Sequence, residues 1–165
     1  MKDVTTAYHE AGHVAAYFDM GRPIRRVTIV PTKEYGGCCD PFVRKLPPID
    51  YCKITSSIRA KIEREVMVDL AGCIAEDKYL GRDGAGNWEI GGWSDMDHLI
   101  NLIDHLTSGP EETDAYINWI FIRTKAIINQ EHVWAFIQAL ASALLENRTI
   151  TGKDAKAIWD AVLSP

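Results

Sequence analysis

The chain has 165 residues, 47% apolar and 25% charged, with a formal charge of −5 at pH 7. That length suits a single domain, residues 1–165, with a real hydrophobic core, and the acidic balance argues against nucleic acid as a partner, since phosphate binding wants a basic face. No window approaches the roughly 18–20 apolar residues needed to span a bilayer, and the early acids Asp3 and Glu10 leave no basic-then-apolar signal peptide, so a cytoplasmic location is expected.

In chain order, the first helix is expected from about Thr5 to Met20, with Gly21 as its stop. Arg25 to Pro31 is β-branched, short and closed by proline, and reads as a strand. Gly36-Gly37 then allows a turn or an edge strand. A long helix from about Ile54 to Leu80 begins amphipathic, with Ile58, Ile62, Val66 and Leu70 on one side. From Val66 to Ala75 it is apolar nearly all round, which predicts burial of that half. Gly81 to Gly92 is a glycine-rich loop. Ser94 with Asp97 resembles a capping box and opens another helix, which Ser108-Gly109-Pro110 stops. Helices over Glu111–Ile128 and Glu131–Glu146 follow, and Thr151 caps a last one through Val162. The expected fold is mainly α, with a small β element after the first helix. Cys38, Cys39, Cys52 and Cys73 contain no Cys-x-x-Cys spacing and are read as reduced thiols rather than a disulfide framework or a closed zinc site.

The first helix carries His9-Glu10-Ala11-Gly12-His13, which fits the pattern His-Glu-x-x-His. Residues four apart share a helix face, so His9 and His13 can grip one zinc ion at Zn–N distances of about 2.0–2.1 Å. Glu10 leans toward the remaining coordination position. There the metal lowers the pKa of bound water toward ~7 and the carboxylate takes its proton. The competing reading is two solvated histidines on an ordinary surface helix. Against it, Val4, Ala7, Tyr8, Ala11, Val14, Ala15 and Phe18 form a core stripe, while the histidine face carries Gly12, Ala16 and Tyr17 and no Lys or Arg. A solvated face is normally charged, and this one reads as the wall of a cleft.

A third ligand is sought in Gly91 to Leu106. At roughly 100° per residue, Met96, Leu99, Ile100, Leu102, Ile103 and Leu106 define the buried stripe of that helix. Asp95 falls on its edge, whereas Asp97, His98, Asp104 and His105 fall on the far side. An acid on an apolar face suits a metal ligand, although a first-turn acid also suits the helix dipole. On the long helix, Asp69, Gly72 and Glu76 share a narrow polar strip. Glu76 has three readings: metal ligand, orienter of a ligand histidine, or partner of an arginine.

The stretches TAYHEAGHVAAYF, VTIVPT, MVDLAGCIAEDKYLG, GGWSDMDHLINL and LASALLENRTITGKDAKAIW resemble, in this order, the peptidase domain of FtsH-type ATP-dependent zinc metalloproteases. The resemblance implies a mostly helical fold and Zn2+ held by His9, His13 and an aspartate opening a later helix. The family motif of a small residue, Ser, Asn and Asp reads here Trp93-Ser94-Asp95, one residue short, with Asp95 the choice and Asp97 the reserve. Glu76 matches the first acid of an Ala-Glu-Glu-type stretch near the active site. The family's substrate-pairing edge strand corresponds to about Tyr35 to Asp40, which places Gly36, Gly37, Cys38 and Cys39 against the substrate backbone by β-addition.

The phosphate-loop pattern Gly-x-x-x-x-Gly-Lys-Ser/Thr is absent, so no ATP binding of that kind is expected. With Met1 directly ahead of the metal helix, the reading is a stand-alone peptidase that a separate ATPase would have to feed. The family's hexameric ring makes a homo-oligomer a candidate assembly. The expected activity is hydrolysis of unfolded or short polypeptides by metal-activated water. The alternatives are a catalytically weak binding or regulatory module and a non-proteolytic zinc hydrolase.

Overall fold

The computed structural model describes residues 2–33, 36–42, 53–82 and 94–164, without the side chains of residues 2 and 94–98. The order is α1 (Lys2–Asp19), β1 (Ile24–Thr28), β2 (Cys38–Pro41), α2 (Ser56–Tyr79), α3 (Ser94–Asp104), α4 (Pro110–Ile128), α5 (Glu131–Asn147), β3 (Thr149–Thr151) and α6 (Gly152–Leu163). The fold is mainly α with a small antiparallel sheet in the order β2-β1-β3. Among the described residues no helix is long and apolar enough to cross a membrane.

The helix ends follow from local chemistry. At the end of α1, Gly21 adopts φ 68°, its N–H reaches Phe18 O at 2.9 Å and the Arg22 N–H reaches Tyr17 O at 2.8 Å. This is the Schellman arrangement that left-handed glycine permits. Helix α2 ends in the same way at Gly81, φ 67°, and begins at Thr55, whose hydroxyl accepts from the Ile58 N–H. Thr151 caps α6 by accepting from the Asp154 N–H at 3.2 Å, as expected from its position.

Several boundaries differ from expectation. Helix α1 starts at Lys2, a turn before Thr5. Strand β1 ends at Thr28 rather than Pro31, because the next N–H, of Ile29, turns to Arg148 O at 2.9 Å. Of the expected edge segment, Cys38 and Cys39 lie in β2, whereas Gly36 and Gly37 precede it. Strand β3 was not anticipated; it pairs Val27 with Ile150 on the side of β1 opposite β2. The expected glycine-rich loop falls mostly outside the described residues.

The core is built from α1, α2 and α5. Ala7, Ala11, Val14 and Ala15 of α1 are fully buried, as are Ile62 and Val66 of α2 and Phe136, Ile137 and Leu140 of α5. The second half of α2 is buried as its composition predicts: Val68, Leu70, Ala71, Cys73, Ile74 and Ala75 all lie inside. In α3, Leu99, Leu102 and Ile103 are buried, as is Leu106 just beyond its end, matching the helical phase read from sequence.

Candidate metal centre

Part of the histidine face of α1 is covered by packing, while His9 and His13 remain partly exposed. Ala16 is 2% exposed and Tyr17 7%, because α2 packs across that face. A Cβ added to Gly12 would lie 2.4 Å from Ala71 O and 2.7 Å from Ala75 Cβ, so the backbones meet there. The absence of charge on this face therefore reflects helix packing as well as any site. Along the crossing, Tyr8 stacks on Tyr79, His9 meets Glu76, His13 meets Val68, and Tyr17 feels Glu65. Partners run backwards along α2 as they run forwards along α1, so the two helices are antiparallel.

The two imidazoles are held by α2. His13 Nδ1 donates to Val68 O at 2.8 Å, since a carbonyl only accepts. His9 Nδ1 lies 3.1 Å from Glu76 Oε2, a carboxylate acceptor. In a neutral ring, a proton on Nδ1 leaves the lone pair on Nε2, the tautomer in which histidine binds metal while a carboxylate or carbonyl orients it. The rings meet edge to face with centroids 4.7 Å apart. Of the residues weighed as partners of Glu76, His9 is the one it contacts. Gly72 lies beneath both rings: a Cβ there would stand 2.6 Å from His13 Nε2, 2.7 Å from His13 Cε1 and 2.9 Å from His9 Cδ2.

Glu10 projects a third of a turn away and is 6% exposed. The approach to β2 covers it: a Cβ on Gly37 would reach Glu10 Oε1 at 2.6 Å and Thr28 O at 2.9 Å. Glu10 thus sits between the histidine row and the start of the edge strand.

An 87-residue stretch of the chain is 37% identical to the ATP-dependent zinc metalloprotease FtsH of Magnetococcus marinus, covering 50% of this chain and 12% of that protein. A second match is 35% identical over 80 residues to the enzyme of the same name in Rickettsia bellii, covering 47% and 11%. Half of this chain is distantly related to a small part of FtsH. The matched stretches span only 12% and 11% of the length of these relatives. No protein-family model matches the chain.

The remaining expected residues are less fully placed. Helix α3 opens at Ser94 and packs on α2 and α4, but the side chains of Asp95, Asp97 and His98 lie outside the described residues. Asp104 is exposed and accepts from the Thr113 hydroxyl at 3.3 Å. Among the described residues no three His, Cys, Asp or Glu side chains gather as a metal-binding group. Cys38, Cys39 and Cys73 form no disulfide, and Cys52 lies outside the described residues.

Tyr17, one turn beyond His13, carries Arg22 over its ring at 4.8 Å, and Arg22 pairs with Glu65 at 2.7 Å. Burial first, then Glu65 and Cys39, push the Tyr17 hydroxyl well above the usual tyrosine range, so it stays protonated. The parts that sequence reading missed are the Val68 carbonyl and the closeness of Gly72 to both rings. Their signal was present in the spacing: residues 68, 72 and 76 recur every four positions on α2, in step with 9 and 13 on α1.

Proposed function

We propose that the chain is a zinc-dependent endopeptidase acting on unfolded or short polypeptides, with His9, His13 and Asp95 as metal ligands, Asp97 as the reserve ligand, and Glu10 as the catalytic carboxylate. The observation that carries this reading is the tying of both Nδ1 atoms to α2, one to a carboxylate and one to a carbonyl. Two solvated histidines have no need of such anchors, whereas ligand histidines commonly have them. The donor set of two Nδ1-anchored imidazoles and an aspartate suits Zn2+, and the partial relationship to FtsH points the same way.

A zinc ion at this site supplies a Lewis acid that acidifies water and polarises a peptide carbonyl. Glu10 takes the proton from the attacking water on its carboxylate and returns it to the leaving amine. Its shelter behind Gly37 limits competing water. Glu76 and the Val68 carbonyl hold the two rings in one tautomer. Strand β2, at the edge of the sheet, offers its backbone to an extended peptide, with Gly36, Gly37, Cys38 and Cys39 nearest that peptide. A separate ATPase as the source of unfolded substrate, a homo-oligomeric assembly and a cytoplasmic location belong to the same reading.

The test is metal content together with cleavage of denatured casein. The wild-type chain is expected to hold one zinc and cut. Glu10→Gln is expected to keep the zinc and lose about 10²–10⁴-fold in rate. Zinc without cleavage, unchanged by Glu10→Gln, would replace the enzyme reading with a binding or regulatory module.

A further inference from the structure

Glycine inside a helix is disfavoured relative to alanine, because it loses more backbone freedom on folding. Gly72 nevertheless sits in the buried half of α2. Backbone conformation does not require it: the positive-φ glycines among the described residues are Gly21 and Gly81. Space does. The three nearest atoms to a Cβ at position 72 all belong to imidazoles, His13 Nε2 and Cε1 and His9 Cδ2, all closer than 3.0 Å. This differs from Gly12, whose missing Cβ would strike the Ala71 carbonyl and so serves the helix crossing.

We propose that Gly72 is a positioning residue of the metal centre, the seat on which both ligand histidines rest. The inference builds on the reading of His9 and His13 as zinc ligands. Each ring is fixed at two points, its Cβ on α1 and its Nδ1 on α2. A methyl group at position 72 bears on His13 Nε2 itself, and rings that shift to make room are drawn off Val68 O and Glu76. Zinc–ligand distances stay within about 0.2 Å of their standard values, so the shift costs metal before it costs fold. Gly72 touches no reacting atom, and its effect runs through the two histidines.

The experiment measures Zn2+ affinity by chelator competition and metal-free melting temperature on the full chain, for wild type, Gly72→Ala, the His9→Ala/His13→Ala double variant, and that double variant with Gly72→Ala. Gly72→Ala alone is expected to weaken Zn2+ binding by about 10–100-fold, the usual loss when an outer-shell partner of a ligand is disturbed, and to lower the melting temperature. With both rings removed, the same substitution is expected to raise the melting temperature, because alanine is then simply the better helix former. This reversal of sign separates a seat for the rings from an ordinary packing role. Wild-type Zn2+ affinity in Gly72→Ala, or a melting temperature lowered equally in both backgrounds, overturns the proposal. If Gly72→Ala does not fold, the ringless background still decides: a raised melting temperature supports the seat, and failure to fold there too overturns it. A wild-type chain that binds no Zn2+ sinks the zinc reading itself, a result distinct from either.

Discussion

Helix α1 packs on its two sides by different means. Toward α5 and α6 it uses large rings: Phe18 lies 5.8 Å from both Phe136 and Trp159, and those two meet edge to face at 4.9 Å. Toward α2 the middle of the crossing rests on glycines, with Gly12 on Ala71 and Ala75 and the imidazoles on Gly72, and Tyr8 stacks on Tyr79 at one end. The distance between packed helices follows the size of the side chains at their contact, so the α2 side brings backbones close and the α5 side holds them apart. Large rings contribute burial and can shift when disturbed. A backbone contact contributes little burial and cannot shift, which suits it to fixing the position of two imidazoles. Stability is expected to reside mainly on the α5 side and metal affinity on the α2 side.

Substitutions on each side test that division. The largest expected effect is Phe136→Ala, since Phe136 is fully buried; the loss should be about 3–5 kcal/mol in denaturant unfolding, with the Zn2+ affinity of the folded fraction unchanged. An equal loss of metal affinity would erase the distinction. Gly12→Ala comes next. Its Cβ would sit 2.4 Å from a backbone oxygen that cannot swing aside, so overpacking should cost about 1–3 kcal/mol, together with a loss of Zn2+ affinity that Phe136→Ala does not show. Glu76→Gln should sharpen the contrast further. It is expected to weaken Zn2+ binding about 10–100-fold while moving stability by less than about 1 kcal/mol, because the His9–Glu76 pair is partly solvated, 22% and 34% exposed. The smallest effect is Thr151→Ala, which removes the α6 cap for about 1 kcal/mol and should leave Zn2+ titrations untouched.

How much was legible beforehand varied with the range of the cause. Gly21 stops α1 and Thr151 caps α6 through contacts within a few residues, and both were readable as such. The burial of Val66 to Ala75 was readable because composition alone makes that stretch apolar. Strand β3 was not, since it is only three residues long and follows Arg148, which takes φ 63° at the end of α5 where glycine is the usual signal. The histidine face reads as the wall of a cleft, and part of it, Ala16 and Tyr17, is packed against α2; a missing charge looks the same whether a cleft or a helix lies opposite.

Sequence by itself determined that α1 presents His9, Glu10 and His13 within one turn, that the chain is mainly helical, and that Asp69, Gly72 and Glu76 share one strip of α2. Those are periodic properties, set by 3.6 residues per turn. Tertiary structure alone decided what the strip does. Glu76 reaches His9 across 67 residues of chain and Val68 reaches His13 across 55, and the register that brings them together is set where Gly12 meets Ala71. No local pattern encodes the register between distant helices. It follows from how closely two backbones can approach, and here Gly12 allows that approach.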